Sequence, residues 1–198
     1  MSLPASQTDR GRLEVICGCM FAGKTAHLIA RLLEARAAGF AVLAFKHALD
    51  IRYSPAALAT HDHRRFEALP VRDVATIRAK AAGVRVVGID EGQFFGEEIV
   101  TLCRDLRAAG KRVIVAGIDF NAWGCPFEPM PRLKEIAERV DVCCMPCTAC
   151  GRPARYTQRI VPVESDDMVG GPGEYEPRCE RCFVPLPGFP RNEPDGRA

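Results

Sequence analysis

The sequence predicts an α/β fold: a P-loop NTPase-like parallel sheet flanked by helices, with a small C-terminal zinc-binding lobe. Three observations carry this expectation. Gly18-Cys19-Met20-Phe21-Ala22-Gly23-Lys24-Thr25 fits the spacing of a phosphate-cradling loop, glycine then four residues then Gly-Lys-Ser/Thr. Short apolar runs alternate with helix-period stretches across residues 12–144, the signature of a parallel sheet covered on both faces. Beyond residue 144 the alternation stops, and two C-x-x-C pairs appear among prolines and glycines.

In chain order, residues 1–11 are polar and expected to be flexible. Residues 13–17 form a short apolar strand entering the loop. Residues 26–36 place apolar side chains at helical spacing until Gly39 stops them. A second strand covers 41–45. From 46 to 65 periodicity disappears, and a long irregular loop carries Asp50, Arg52, Tyr53 and Thr60-His61-Asp62-His63. A helix over 73–82 starts near Asp73 and ends at Gly83. An apolar run over 84–89 stops at Asp90-Glu91. A helix over 96–109, a strand over 112–118, a helix over 131–139 with Pro131 in its first turn, and a last strand over 140–144 follow. These spans divide into a nucleotide-binding domain at 12–144, a metal lobe at 145–184, and a disordered tail at 185–198 with four prolines.

Composition narrows the function classes. Apolar residues make up 47% and charged residues 26%, ordinary for a globular protein. A formal net charge of +2 implies no broad basic surface, so no stable nucleic-acid partner is expected. No apolar run is long enough to span a bilayer, and residues 1–10 lack the basic start and apolar core of a signal peptide, so no membrane partner and a cytoplasmic location are expected. In that reducing compartment the ten cysteines are read as thiols and metal ligands, not as disulfides.

The chemistry of each motif follows from its residue types. Backbone N–H groups of a tightly curled loop point inward at a polyphosphate, helped by the positive end of the following helix. Gly18 and Gly23 supply the backbone conformations. Lys24 reaches the β- and γ-phosphates, and the Thr25 hydroxyl is a ligand for Mg²⁺. Asp90, closing a buried strand, is the second metal-holding carboxylate. Glu91, one residue on, points toward the phosphoryl acceptor, where an ionised carboxylate can take a proton. Cys147, Cys150, Cys179 and Cys182 have the spacing of a structural Zn²⁺ site, with Cys144 a competing ligand. His47, His61 and His63 cluster in the irregular loop, where solvated histidines are commoner than ligands.

The combination resembles the type II, zinc-containing thymidine kinases across residues 14–182. It rests on residues 18–25, Thr60-His61-Asp62, Asp90-Glu91-Gly92-Gln93-Phe94-Phe95, Pro126-Phe127, Tyr156-Thr157-Gln158-Arg159, Gly170-Gly171, Tyr175 and the four cysteines. The resemblance implies that ATP phosphorylates the 5′-hydroxyl of thymidine, with Glu91 as catalytic base. It implies that Asp62 lies near the phosphates and metal, with Gly92 and Gln93 in the same ATP-binding segment. Met20, Phe94, Ile118, Phe127 and Thr157 then match positions lining the base pocket. Residues 165–176 match a lasso loop in which backbone groups of Asp166, Asp167, Met168, Val169 and Gly170 read the thymine edge and Tyr175 closes over the nucleoside. A homotetramer and feedback inhibition by the triphosphate end-product are also implied.

One departure bears on specificity. Ala122 stands where the family has a base-contacting phenylalanine; either Trp123 or Phe120 replaces the lost stacking surface, or the loop is shifted. Two other readings fit the motifs taken singly. A zinc-ribbon P-loop ATPase acting on nucleic acid also places Glu after the metal-binding Asp. A non-catalytic nucleotide-binding module leaves Glu91 and Tyr175 without a role.

Overall fold

The computed structural model describes residues 11–50, 57–59, 65–162 and 170–188. Six parallel strands form the main sheet: β1 (Arg12–Gly18), β2 (Val42–His47), β5 (Leu69–Val71), β6 (Val86–Asp90), β7 (Arg112–Ile118) and β8 (Arg139–Cys143). Their spatial order is β5-β2-β6-β7-β1-β8, so β1 lies between β7 and β8. All carboxyl ends share one edge, which brings Gly18, Asp90 and Ile118 together although about a hundred residues separate the first from the last.

Alternating side chains of each strand feed two cores. Helix α1 (Lys24–Ala37) buries Leu28, Ile29, Leu32 and Ala35 against Ile16, Ala44, Val86 and Ile114. The opposite face carries α2 (Val74–Lys80), α3 (Glu98–Ala108) and α4 (Met130–Ile136), which pack Ile77, Ile99, Leu102, Met130 and Leu133 onto Leu13, Val15, Phe45, Val87 and Val115. Asp73 caps α2, its carboxylate accepting from the Thr76 N–H at 2.7 Å. At the amino-terminal side of the sheet, buried Glu14 gathers Arg12, Arg31 and Arg112 at 2.8, 3.1 and 2.6 Å.

The irregular stretch expected over 46–65 is partly ordered. Strand β2 continues to His47, and β3 (Ala57–Ala59) pairs antiparallel with β4 (Arg65–Glu67), delivering Leu58 and Phe66 to the α1 core. The helix expected to reach 139 stops at Ile136, because Ala137 turns to extended backbone, and β8 begins at Arg139. Beyond it lie two small antiparallel ladders, β9 (Met145–Pro146) with β10 (Pro153–Ala154) and β11 (Tyr156–Arg159) with β12 (Tyr175–Arg178). Among the described residues no helix is long and apolar enough to cross a membrane.

Candidate active site

The phosphate-loop segment begins where β1 ends. Gly18 has φ 140°, and a Cβ there would lie 2.2 Å from the Cys143 carbonyl oxygen, so only glycine fits. Gly23 caps α1 at φ 80° with open space around it, so its requirement is conformational. Phe21 adopts φ 64° without being glycine, a strained conformation that persists only where the surroundings impose it. The Lys24 ammonium donates to the Cys19 carbonyl at 2.6 Å, across the loop.

The acidic end of β6 sits beside it. Thr25 Oγ1 donates to Asp90 Oδ2 at 2.9 Å, and the Glu91 N–H donates to Asp90 Oδ1 at 3.0 Å. Burial, then the neighbouring Glu91 carboxylate, pushes the Asp90 carboxyl up to about 7, while Thr25 and the Glu91 amide pull it down. A divalent cation on this oxygen pair reverses that balance and favours the ionised form. Glu91 is buried and left-handed, φ 54°. Its carboxylate accepts from Gln93 Nε2 at 2.5 Å, and Gln93 Oε1 accepts from the Ile118 N–H at 3.2 Å. A Cβ on Gly92 would meet Val115 Cγ1 at 2.5 Å. Gly92 and Gln93, expected with the nucleotide, are thus placed to tie Glu91 to the end of β7.

An apolar cluster adjoins these groups. Met20, Ile118, Ala122 and Tyr175 are buried together, with Phe21, Trp123, Phe127 and Leu186 packed against them. Phe94 joins through Phe127, edge-on with ring centroids 6.3 Å apart. Thr157 Oγ1 accepts from the Met20 N–H at 3.0 Å. The Tyr175 hydroxyl accepts from buried Arg159 at 2.9 Å. A Cβ on Gly170 would lie 2.6 Å from the Glu174 carboxylate and 2.7 Å from the Tyr175 ring, so a larger residue there would have to displace them. Asp62, Asp166, Asp167, Met168 and Val169 lie outside the described residues, as do His61 and His63.

The two aromatic neighbours of Ala122 pack on different groups. Phe120 is committed to the C-terminal ladders, 4.8 Å from Tyr156, which itself stacks on Phe183 at 4.6 Å. Trp123 instead packs on the apolar cluster, and its indole N–H donates to the Pro187 carbonyl at 3.4 Å. Two participants were not legible as such, and a third was legible from its place after an apolar strand. His47, expected in a solvated loop, ends β2 buried against Phe94 and Phe95 at 5.6 and 4.7 Å. Leu186, in the stretch expected to be a loose tail, packs on the cluster and donates its N–H to the Ala122 carbonyl at 3.1 Å. Asp119, buried at the end of β7, accepts from Lys134 at 2.6 Å. The carboxylate after an apolar strand was the one available signal for Asp119.

The four cysteines converge. Sγ atoms of Cys147, Cys150, Cys179 and Cys182 all lie within 4.8 Å of one another, and exposed Cys144 is not among them. Zinc bound tetrahedrally at about 2.3 Å spaces thiolates roughly 3.8 Å apart, so the set fits a structural Zn²⁺. The amide and guanidinium of Arg152 pull Cys150 down to about 6, while hydrogen bonds to Cys150 and Cys179 push Cys182 up to about 12. A metal ion takes the place of that shared proton. A cleft of about 370 Å³ beside Cys179 is lined by Arg152, Arg155, Arg181 and Glu180, and of these Arg152 hydrogen-bonds to Cys150.

The family model described as thymidine kinase matches residues 11–183. A thymidine kinase of Rhodothermus sp. is 45% identical over 175 residues, covering 88% of this chain and 82% of the relative. A thymidine kinase of Bacteroides thetaiotaomicron is 42% identical over 175 residues, covering 88% of each. Among solved structures, the flagellar accessory protein FlaH of Methanocaldococcus jannaschii aligns with TM-score 0.47 at 11% identity, over 79% of this chain and 75% of FlaH.

Proposed function

The chain belongs to the thymidine kinase family, and we propose how its own residues move the γ-phosphoryl group of ATP to the 5′-hydroxyl of thymidine. The observation that carries the proposal is how Glu91 is held: its N–H donates to Asp90, which also accepts from Thr25, and its carboxylate is fixed by Gln93, which accepts from Ile118 of the apolar cluster. Backbone N–H groups of residues 18–25 and the Lys24 ammonium hold the polyphosphate, with Asp62 nearby. Thr25 and Asp90 would hold Mg²⁺, which would supply charge neutralisation for the transferred phosphoryl group.

The nucleoside base occupies the cluster of Met20, Phe94, Ile118, Phe127 and Tyr175, with Trp123 supplying the surface that Ala122 lacks and Thr157 at its edge. Backbone groups of 166–170 read the thymine edge. The 5′-hydroxyl then faces Glu91, which takes its proton as the oxygen attacks the γ-phosphorus and ADP leaves on the opposite side. Catalysis of this kind is mostly positioning plus charge stabilisation. The cysteine lobe, 145–184, carries a structural Zn²⁺. A cytoplasmic homotetramer supplying deoxynucleotide for DNA synthesis completes the proposal on family grounds.

The test is Glu91→Gln. The amide preserves shape but accepts no proton, so ATP and thymidine binding should persist while kcat falls about 10²- to 10⁴-fold. A variant with near-normal kcat removes Glu91 from the chemistry.

A further inference from the structure

The cysteine lobe touches the phosphate loop itself. Cys19 is fully buried in a cluster with Cys147, Cys179 and Ala154, and its thiol donates to the Ala154 carbonyl at 3.5 Å. Ala22 packs on the same cluster. Between them, the Met20 N–H donates to Thr157 Oγ1 at 3.0 Å, and Thr157 is buried. Cys19 and Met20 are thus bonded to residues from beyond residue 145, and Ala22 and Phe21 pack on clusters that such residues share.

Thr157 is in turn fixed by both knuckles. In the β11–β12 ladder it lies opposite Pro177, two residues before Cys179. The Pro177 carbonyl accepts from the N–H of Thr148, one residue after Cys147, at 3.1 Å. Joining Cys147 to Cys179 through one metal thus sets where the Thr157 hydroxyl stands.

A phosphate loop works only while its peptide planes are aimed correctly. Here the backbone passes through positive φ at both Phe21 and Gly23. A strained non-glycine residue holds that conformation only when its surroundings over-determine it. The hydroxyl that captures the preceding N–H, at Met20, supplies such a constraint.

We propose that the four-cysteine lobe positions the phosphate loop for ATP, with Thr157 as the positioning residue and Cys19 as the packed seam. This rests on the reading of residues 18–25 as the ATP phosphate loop. It gives the metal site a role in nucleotide binding, whereas support of the nucleoside side alone would touch only the base pocket.

The test measures affinity for a fluorescent ATP analogue in the full, zinc-loaded chain without any nucleoside, so that a base contact of Thr157 cannot contribute. Thr157→Val removes the hydroxyl and leaves the Met20 N–H buried and unmatched. The analogue should bind roughly tenfold more weakly, the equivalent of one lost buried hydrogen bond. Thr157→Ser should restore near-normal affinity. Lys24→Ala, run alongside, tests the underlying reading. If Lys24→Ala loses the analogue and Thr157→Val does not, the positioning role is wrong while the phosphate loop stands. If Lys24→Ala binds normally, the phosphate-loop reading falls and this inference with it.

A second readout needs no turnover. Residue-resolved alkylation should find Cys19 protected in zinc-loaded protein and labelled after chelation, together with the four ligand cysteines. Cys103, fully buried in α3, should stay protected and so report that the main sheet remains folded. Cys19 still protected after metal removal overturns the seam. Should chelation unfold the whole chain, Thr157→Val, which keeps all four ligands, decides.

Discussion

Gln93→Leu is the most informative single change at the site, because it separates the carboxylate from what holds it. Gln93 is 3% exposed, donates to Glu91 at 2.5 Å and accepts from the Ile118 N–H at 3.2 Å. Leucine has similar volume and makes neither bond. Losing a hydrogen bond to a charged group costs about 1.5–3 kcal/mol, and an unmatched buried N–H about 1–3 kcal/mol. Apolar burial of the new side chain offsets part of this, leaving a net destabilisation of about 2–4 kcal/mol, or roughly 5–15 °C in Tm for a chain of this size. The effect on chemistry is separable. Glu91 is held at φ 54°, and release of its tether lets that strain relax and moves the carboxylate off the acceptor. A misplacement near 1 Å costs about 10²-fold in rate. Thermal unfolding and steady-state kinetics on the same preparation read both terms. Tm should fall, kcat should fall about 10²-fold, and the ATP KM should stay near wild type. A variant that is destabilised as expected yet turns over within twofold of wild type shows that Gln93 only supports the fold and does not aim Glu91.

Trp123→Ala should raise the thymidine KM roughly tenfold with little change in the ATP KM, since stacking on a base is worth about 1–3 kcal/mol. Ala122→Phe combined with it should be non-additive, as neighbours in one pocket are; an untouched thymidine KM with simple addition takes Trp123 out of the base site. At the other end of the sheet, burial alone would raise the Glu14 carboxyl, but the hydrogen bond and charge of Arg112, with Arg12 and Arg31, hold it below its ordinary value. A carboxyl depressed in the folded state stabilises above the unfolded value, about 4.3, and loses that contribution as pH falls through the folded one. Wild-type Tm should therefore be insensitive to Glu14 from pH 7 to about 5 and should decline below about 4.3. Glu14→Gln should lower stability by about 1.5–3 kcal/mol at pH 7, because the partly buried Arg112 loses its carboxylate while Arg31 keeps Asp141, and should flatten the acid decline. Equal acid sensitivity in the variant and wild type excludes Glu14 as its source.

How much of this was legible depended on how local each signal was. β1, α1 and β7 carry their own periodicity, and Gly18, Lys24 and Thr25 are fixed by spacing within eight residues. β5 was missed because Pro70 argues against a strand. The structure accommodates it by pairing Pro70 with Lys46 at the sheet edge, where a missing N–H costs nothing. β3 and β4 are three residues each, too short for any period to register. The identity of Glu91 was readable, but its left-handed backbone and its tether to Ile118, through a glutamine 25 residues away, were not. The four cysteines announced a metal site by spacing. That Cys19 would lie against them, bonded 135 residues along the chain, had no local signal at all. Leu186 was hidden by the proline-rich composition around it, since composition averages over a side chain that one hydrogen bond to Ala122 fixes.

The central claim is that Glu91, the phosphate loop and the apolar cluster work together as a thymidine kinase. ADP formation from ATP and Mg²⁺, measured with no acceptor, with thymidine, with a panel of other nucleosides and with single-stranded DNA, tests it most directly. The account predicts ADP only when thymidine is present, in equimolar yield with thymidine 5′-monophosphate. ADP formation that ignores thymidine, or that responds to DNA instead, contradicts it.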